Sequence, residues 1–232
     1  MKRFYKQAGH QPTEEGHAIT LDGRPLKTPA RAALVVPNPA LADEIAREWN
    51  AQGDRIDPRS MPLTGLANAA IDRVAVDSET FARGLSAYAE TDLLAYRADH
   101  PADLVARQAA SWDLIIDWAR QRFDIAFTVT SGIVHQPQPP ATLDRLHNAV
   151  ATQTPFALAG LHPIVTISGS LLIALALAEG VLDADQAWQA GHLDELWQAE
   201  KWGDDPLAAK TREAHRRDFD NGVLFLSLVG QG

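Results

Sequence analysis

The chain has 232 residues, of which 46% are hydrophobic and 22% charged, a composition typical of soluble globular proteins. Its formal net charge of −9 argues against binding to nucleic acids or anionic membranes, because both require a basic face, and is compatible with basic protein partners. Cysteine is absent, which excludes disulfides, thiolate metal sites and a cysteine nucleophile.

The N-terminal residues 1–6, Met-Lys-Arg-Phe-Tyr-Lys, lead directly into polar sequence. Neither a signal-peptide core nor an Arg/Ser-rich presequence is present in this stretch. The most apolar segment, residues 164–178, is 15 residues long and contains Thr, Ser and Gly, whereas a membrane span needs about 20 apolar residues. We therefore expect no membrane insertion and interpret residues 164–178 as a buried helix with its entry turn.

Residues 1–62 are predicted to form a small β-rich domain with one helix. A strand at residues 17–21 runs into Asp22-Gly23, which indicates a hairpin because both turn positions must accept a positive φ. A second short strand is predicted at residues 33–36, before a proline. The Pro-rich residues 55–62 are predicted to form an extended link, since proline is unsuited to a central strand or a helix interior.

The helix of this first domain has clear local signals. Asn38 is a favourable cap and Pro39 suits the first helical position. Leu41, Ile45 and Trp49 then recur on one face, as expected of an amphipathic helix. Gly53 is predicted to end the helix.

Residues 63–232 are predicted to form a larger, all-helical domain, which makes the fold class α+β. The predicted helices begin at Ser78 (as a cap), Pro101, Thr142, Ser168 or Ser170, Asp183 and Pro206. Asp183 is followed by glutamine three residues later, which indicates a capping box, and its helix is predicted to reach residue 202 with a weak point at Gly191. Residues 127–130 alternate between apolar and polar side chains and predict a stray strand. The tail, residues 223–229, is apolar on all sides and should either be buried or form an adhesive surface.

No motif for catalysis, for a metal or for a cofactor is found. Eight histidines are present, and none has the spacing of a metal site. Ser168 and Ser170 lack the context of a nucleophile and suit helix capping. No phosphate-binding glycine loop occurs. Asp113 and Asp117 could share a proton across one helical turn, although such pairs are more often a solvated helix face.

Tryptophan is a stronger signal than any titratable group. Trp49 and Trp112 lie on apolar stripes and are predicted to be core residues. Trp197 and Trp202 are about 140° apart around a helix, so they cannot both face the same core line. Either one is buried and the other lies near the surface, or both are half-buried at a helix junction. Their segment, residues 193–205, also carries a glutamine and several acids, a combination typical of protein-binding surfaces.

Nine short pieces of the sequence, in order, carry a resemblance to a known family. They are Lys2-Arg3-Phe4-Tyr5-Lys6; Leu21-Asp22-Gly23-Arg24-Pro25-Leu26-Lys27-Thr28-Pro29; Glu48-Trp49-x-x-Gln52; Met61-Pro62-Leu63-Thr64; Ala70-Ile71-Asp72; Thr91-Asp92-Leu93-Leu94-x-Tyr96-Arg97; Gln108-x-x-x-Trp112; Ser168-Gly169-Ser170-Leu171; and Trp197-Gln198-x-x-x-Trp202-Gly203. From residue 2 to about residue 205 the chain resembles the assembly chaperones of the F-type ATP synthase catalytic head that handle the alpha subunit, known from mitochondria and alphaproteobacteria.

The resemblance implies a non-enzymatic chaperone without a cofactor. Such a protein binds the unassembled alpha subunit, prevents its aggregation and leaves when the beta subunit arrives. The family fold, a small β-rich domain followed by a helical domain, agrees with the division predicted above. Mitochondrial members, which act in the matrix, begin with an import presequence; because this chain begins without one, we expect a bacterial cytoplasmic protein, and we expect it to be a monomer.

The helix end at residues 194–205 is our predicted contact with the client subunit. The predicted contact residues are Glu195, Trp197, Gln198, Trp202 and Asp204. Glu195 would pair with a basic residue of the free client, and one of the two tryptophans would supply an apolar anchor. In the alternative interpretation both tryptophans join the core and the acids are merely solvated.

Two other functions remain open at this stage. The chain could be a hydrolase or isomerase that uses scattered aspartates and histidines, which would require a pocket with a strongly shifted carboxyl pKa. It could also be a small-ligand binding module in which tryptophans line a closed pocket.

Overall fold

The structure is a computed structural model that describes residues 1–132 and 134–230. A small antiparallel sheet near the N-terminus is followed by a mostly helical chain, so the predicted α+β class is confirmed. The chain divides into two compact units. The first comprises residues 1–78, 154–160 and those from 221 on, and the second comprises residues 79–153 and 161–220. The domain boundary between residues 62 and 63 stays a prediction.

The sheet of the first unit has one central strand. Its strands are β1 (Ala8–Thr13), β2 (Gly16–Leu21), β3 (Arg24–Pro25) and β4 (Val35–Val36). Each of the other three pairs with β2 in antiparallel orientation. Asp22 and Gly23 have φ values of 50° and 78°, which confirms the predicted turn between β2 and β3. The second predicted strand is shorter than expected, since only its last two residues form β4.

Helix α1 (Pro39–Asn50) covers one face of this sheet, and its cap is confirmed. The Asn38 side chain accepts a hydrogen bond from the Leu41 amide, and Leu41, Ile45 and Trp49 are buried. The helix ends at Asn50, three residues before the predicted end at Gly53. Ala51 keeps a right-handed helical conformation there, so no glycine is needed to close the last turn.

The proline-rich link is not extended along its whole length, so that prediction is wrong. Pro58–Ser60 form a short 3-10 helix, and Pro62 begins α2 (Pro62–Ala69). Both prolines occupy the first turn of a helix, where the backbone N–H that proline lacks would have no acceptor within the helix. A π-helical turn at Ala70–Val74 continues α2.

The next helices are α3 (Ser78–Ser86) and α4 (Ala102–Phe123). Ser78 lies inside the first turn of α3 and its hydroxyl donates to the Val74 carbonyl at 2.9 Å, so the predicted cap is wrong. The apolar stripe of α4 is confirmed, with Trp112 fully buried. The parallel strands β5 (Tyr96–Arg97) and β6 (Thr130–Ser131) flank α4 in the chain, and the predicted strand at residues 127–130 overlaps β6 only at its last residue.

Three helices follow: α5 (Pro140–Ala151), α6 (Pro155–Ser168) and α7 (Leu171–Ala178). The buried apolar helix predicted to start at Ser168 or Ser170 is confirmed as α7, but the residues before it, which were interpreted as its entry turn, are the end of a separate helix, α6. Gly169 has a φ of 69° and separates α6 from α7. Ser170 caps α7, since its hydroxyl accepts from the Ile173 amide at 3.1 Å, as the capping interpretation of this serine requires.

The last helices are α8 (Ala184–Gly191), α9 (Leu193–Trp202) and α10 (Pro206–Val229). The capping box of Asp183 is confirmed. The helix predicted to reach residue 202 is broken at His192, just after the predicted weak point. In the apolar tail Phe225 and Leu228 are buried, but Leu224 is 43% exposed, so the tail is only partly buried. In the described parts of the chain, none of the helices has both the length and the apolar character of a membrane span.

Candidate functional site

The helix α9 and the turn after it carry all five predicted contact residues. Trp197 is 5% exposed and Trp202 is 74% exposed, so one ring points inward and the other outward. Their ring centroids are 5.4 Å apart with planes at 87°, an edge-to-face arrangement. The first of the two alternatives for these tryptophans is the one the structure adopts.

Polar contacts from α4 fix Trp197 in its buried position. Its indole Nε1 donates to the carboxylate of Asp103 at 3.1 Å. The same carboxylate pairs with Lys201 at 2.9 Å, and the Lys201 ammonium lies 5.7 Å from the centre of the Trp197 ring. These hydrogen bonds lower the pKa of Asp103, led by the one from Lys201. Trp197 is therefore a structural residue that supports the exposed ring of Trp202.

Glu195 and Asp204 share one arginine within the chain. Arg212, on α10, donates through Nη1 to Glu195 at 2.8 Å and through Nη2 to Asp204. The Arg212 side chain is only 14% exposed, whereas the two acids are 45% and 44% exposed. Glu195, which was predicted to pair with a basic residue of the client, thus already has a basic partner within its own chain. Both carboxylates nevertheless remain partly exposed to solvent.

Other acids of the segment attach α9 to α4. Glu200 forms a two-pronged pair with Arg107, at 2.5 and 2.9 Å, and this pair lowers the pKa of the Glu200 carboxyl. Asp194 accepts from the Gln108 side chain at 2.8 Å. Gln198, by contrast, lies exposed on the same helix. These carboxylates are more than a solvated helix face, because they set the position of the helix.

A second exposed apolar residue accompanies Trp202. Leu207, in the first turn of α10, is 73% exposed. Asp205 caps α10, because its carboxylate accepts from the amides of Leu207 and Ala208 at 3.1 and 2.9 Å. Gly203 has a φ of 86° and ends α9. Sequence reasoning missed Leu207, although a leucine directly after a helix-starting proline and outside any apolar stripe was a usable signal.

Several carboxylates that carry the resemblance serve as structural caps. Glu48 accepts from the amides of Leu63 and Thr64 at 2.7 and 2.8 Å and from the Thr64 hydroxyl at 2.7 Å. Asp72 accepts from the Thr28 hydroxyl at 2.6 Å. These contacts join pieces of the resemblance that are separate in the sequence. Trp202 differs from these carboxylates, because its side chain is mostly exposed to solvent.

Asp92 is the most deeply buried of these acids. It accepts from the Leu94 amide at 3.0 Å and from the Leu172 amide at 3.1 Å, so it caps two helical segments at once. Its burial raises the pKa to about 6, against the hydrogen bonds that lower it. The Ser170 hydroxyl and the Leu171 amide also hydrogen-bond to this carboxylate, so all of these partners lie at the starts of helical segments, which is a structural role.

The described residues offer little to catalysis. No group of three or more His, Cys, Asp or Glu side chains among them is arranged to hold a metal ion. Asp113 and Asp117 bond to different arginines, Arg97 at 2.8 Å and Arg120 at 3.1 Å, so the structure does not place them as a proton-sharing pair. Burial lowers the pKa of His192, which stacks on a neighbouring tryptophan.

One serine and histidine superficially resemble a nucleophile and its base. Ser86 Oγ lies 3.0 Å from His147 Nδ1, and Glu79 lies 3.4 Å from the other ring nitrogen. The Ser86 hydroxyl, however, donates its proton to the Arg83 carbonyl at 3.2 Å. Arg83 also holds the Glu79 carboxylate at 2.7 Å and lowers its pKa. The Arg83 carbonyl therefore competes with the histidine for the single serine proton, and these contacts alone do not define an activated nucleophile.

Comparisons with known proteins agree with one another. A family model described as ATP12 chaperone protein matches residues 2–120. The mitochondrial protein atp12 of Schizosaccharomyces pombe is 24% identical over 214 residues, which cover 87% of this chain and 74% of that protein. The crystal structure of Atp12 from Paracoccus denitrificans is 41% identical, with a TM-score of 0.94 and 98% of each chain covered. A structure from Agrobacterium tumefaciens is 40% identical, with a TM-score of 0.92, and the match covers 97% of this chain and 85% of that one.

Proposed function

This chain belongs to the ATP12 chaperone family of ATP synthase assembly, and on that premise we propose that its client is the unassembled alpha subunit of F-type ATP synthase. It shields the subunit-contact surface of the client from aggregation and releases the client when the beta subunit arrives. Its action is binding rather than catalysis, it uses no nucleotide, and it works as a monomer in the bacterial cytoplasm.

The exposed indole of Trp202 is the observation that carries this proposal. A large aromatic side chain is costly to leave in water, and aromatic residues frequently dominate the binding energy of protein interfaces. Trp202 also lies against Trp197, which is itself hydrogen-bonded and buried. An anchor held on a rigid support loses little conformational entropy when a partner binds.

The acids beside Trp202 suit the polar rim of such an interface. Arg212 orients the carboxylates of Glu195 and Asp204 but leaves each almost half exposed. A cationic side chain of the client can approach them from the solvent side without first displacing Arg212. Gln198 adds an exposed amide on the same helix. In this proposal Trp202 makes the direct apolar contact with the client, and the buried Trp197 holds the Trp202 ring in position.

The expected energetics suit a chaperone that needs no nucleotide. A lone client subunit exposes an apolar surface made to be buried against its neighbour, and such surfaces aggregate. A chaperone that covers the surface shifts the equilibrium away from aggregation by mass action. Release requires moderate affinity, on the order of micromolar to tens of nanomolar, and a contact of roughly 1,200–2,000 Å².

The test is the solubility of the alpha subunit in the absence of added nucleotide. An aggregation-prone alpha subunit is expressed alone, with the wild-type chain, or with Trp202→Ala. Leu114→Ala is the matched control, because Leu114 is also 74% exposed but lies on α4, outside the site. We expect the wild type and the control to raise the amount of soluble alpha subunit, and Trp202→Ala to lose most of that effect. Equal soluble amounts with and without the wild-type chain would refute the assignment.

A further inference from the structure

A cleft in the first unit is formed by the two most N-terminal pieces of the resemblance. Its volume is about 440 Å³, and Phe4, Tyr5, Asp22, Arg24 and Lys27 are among the residues that line it. Phe4 is 64% exposed at this cleft, whereas the neighbouring Tyr5 is buried. The cleft thus combines an exposed aromatic ring with two basic side chains.

The backbone that carries Phe4 is fixed on both sides. The Arg3 amide donates to the Asp54 carbonyl at 2.9 Å, and the Arg3 guanidinium donates to the carbonyls of Lys6 and Gln52 at 2.9 and 2.5 Å. The hydroxyl of Tyr5 donates to a carbonyl of α1 at 2.6 Å. Phe4 meets the Tyr5 ring edge to face, with centroids 5.5 Å apart. An exposed ring on a fixed backbone is a prepared contact for a partner, because little freedom remains to be lost.

The charge of the cleft is positive, opposite to that of the whole chain. Its acid, Asp22, is held by the amides of Lys6 and Gln7 at 2.9–3.1 Å, and these bonds lower its pKa. Arg24 and Lys27 are exposed and form no ion pair within residues 1–132 and 134–230. Residues 1–31 carry six basic and three acidic side chains, a net charge of +3 in a chain whose total is −9.

We propose that this cleft binds an acidic, extended segment of a partner protein. An apolar side chain of that segment packs against Phe4, and its carboxylates lie near Arg24 and Lys27. The acidic surface of the rest of the chain repels such a segment, so the cleft both attracts it and determines where it binds. The proposal is independent of the client contact on α9, because that helix end is acidic and suits a cationic partner instead.

The experiment measures binding of a fluorescently labelled, glutamate-rich peptide that contains one phenylalanine to the full chain, by anisotropy. We expect saturable binding that weakens as salt is raised, since exposed charges are screened. The double variant Arg24→Glu/Lys27→Glu should bind about tenfold more weakly or worse, and Phe4→Ala should weaken binding by several-fold. Circular dichroism confirms that each variant is folded.

Two controls distinguish binding at the cleft from non-specific attraction between charges. Arg31→Glu reverses an exposed charge of the same unit that does not line the cleft, and it should leave most of the affinity intact. A lysine-rich peptide of equal length should not bind. The proposal is overturned if Arg31→Glu and the double variant weaken binding equally, or if the peptide does not bind at all. It is also overturned if labelled ATP binds in place of the peptide and is lost in the same variants, which would make the cleft a nucleotide site.

Discussion

Trp197 and Trp202 lie edge to face, 5.4 Å between ring centroids, although the first is 5% exposed and the second 74% exposed. They are five positions apart in the sequence, so the helix turns the second ring away from the core while it still contacts the first. The buried ring belongs to the core of its unit, and the exposed ring extends that core to the surface. Stability and binding should therefore depend on different members of the pair.

Alanine substitution of each tryptophan should separate the two roles. Trp197→Ala removes a buried ring and its hydrogen bond to Asp103, so we expect a loss of about 3 kcal/mol in the free energy of unfolding. Trp202→Ala removes a ring that is mostly in solvent, so the loss should stay below about 1 kcal/mol. Urea unfolding followed by circular dichroism measures both. Equal losses would mean that Trp202 is a core residue and not a prepared surface anchor.

Arg212 should control the geometry of the acidic rim. Arg212→Gln removes the shared partner of Glu195 and Asp204, and we expect a loss of about 1 kcal/mol because the acids are partly solvated. The measured loss should shrink at high salt. Arg217→Gln, at an exposed position of the same helix, should change the free energy of unfolding by less than about 0.5 kcal/mol. A loss that is the same for both variants would show that the bridge to Glu195 contributes nothing.

Local signals predicted several helix starts correctly, and contacts between distant residues explain part of what they missed. The caps at Asn38 and Asp183 depend on neighbours three residues away, which a sequence displays directly. The direction of Trp197 depends on Asp103, 94 residues earlier in the chain, and no local pattern shows that hydrogen bond.

The same distinction applies to the candidate site and to the helix that was missed. The contact between Arg212 and Glu195 joins two helices, so no local pattern indicated that Glu195 was already paired. Helix α6 was not predicted because Pro163 interrupts its pattern and apolar residues occur on most of its faces. The amphipathic period that identifies a helix is weak in such a segment.

Gly191 was predicted as a weak point, but the structure gives it a packing role. A Cβ at this position would lie 2.9 Å from Ser168 Cβ and 3.2 Å from Ser168 Cα. Gly191→Ala should therefore lower the free energy of unfolding by about 1–3 kcal/mol through overpacking. Gly84→Ala, in α3 with no atom within 4 Å of the added carbon, should instead stabilise the protein by about 0.5–1 kcal/mol. Thermal unfolding of both variants checks the contrast, and a stabilised Gly191→Ala would contradict this close approach.

Asp92 should make stability depend on pH in a recognisable direction. Burial raises its folded-state pKa to about 6, above the ordinary value of 3.8, so the folded protein prefers the protonated carboxyl. The stability that this preference contributes is complete below about pH 4 and is lost as the pH rises through about 6. Asp92→Asn cannot ionise and escapes this loss, although its amide reproduces only one of the two acceptor oxygens.

The informative quantity is the difference in unfolding free energy between Asp92→Asn and the wild type, measured in urea from pH 4 to pH 8. We expect this difference to shift in favour of the variant by about 2.5 kcal/mol between pH 4 and pH 7 and to be level above that. Glu48, whose pKa burial also raises, cancels because it is present in both proteins. Asp144→Asn, at an exposed aspartate, serves as the control. The difference in unfolding free energy between this variant and the wild type should stay constant across the pH range. A constant difference across the whole range would mean that the hydrogen bonds from the amides of Leu94 and Leu172 outweigh burial and keep Asp92 ionised.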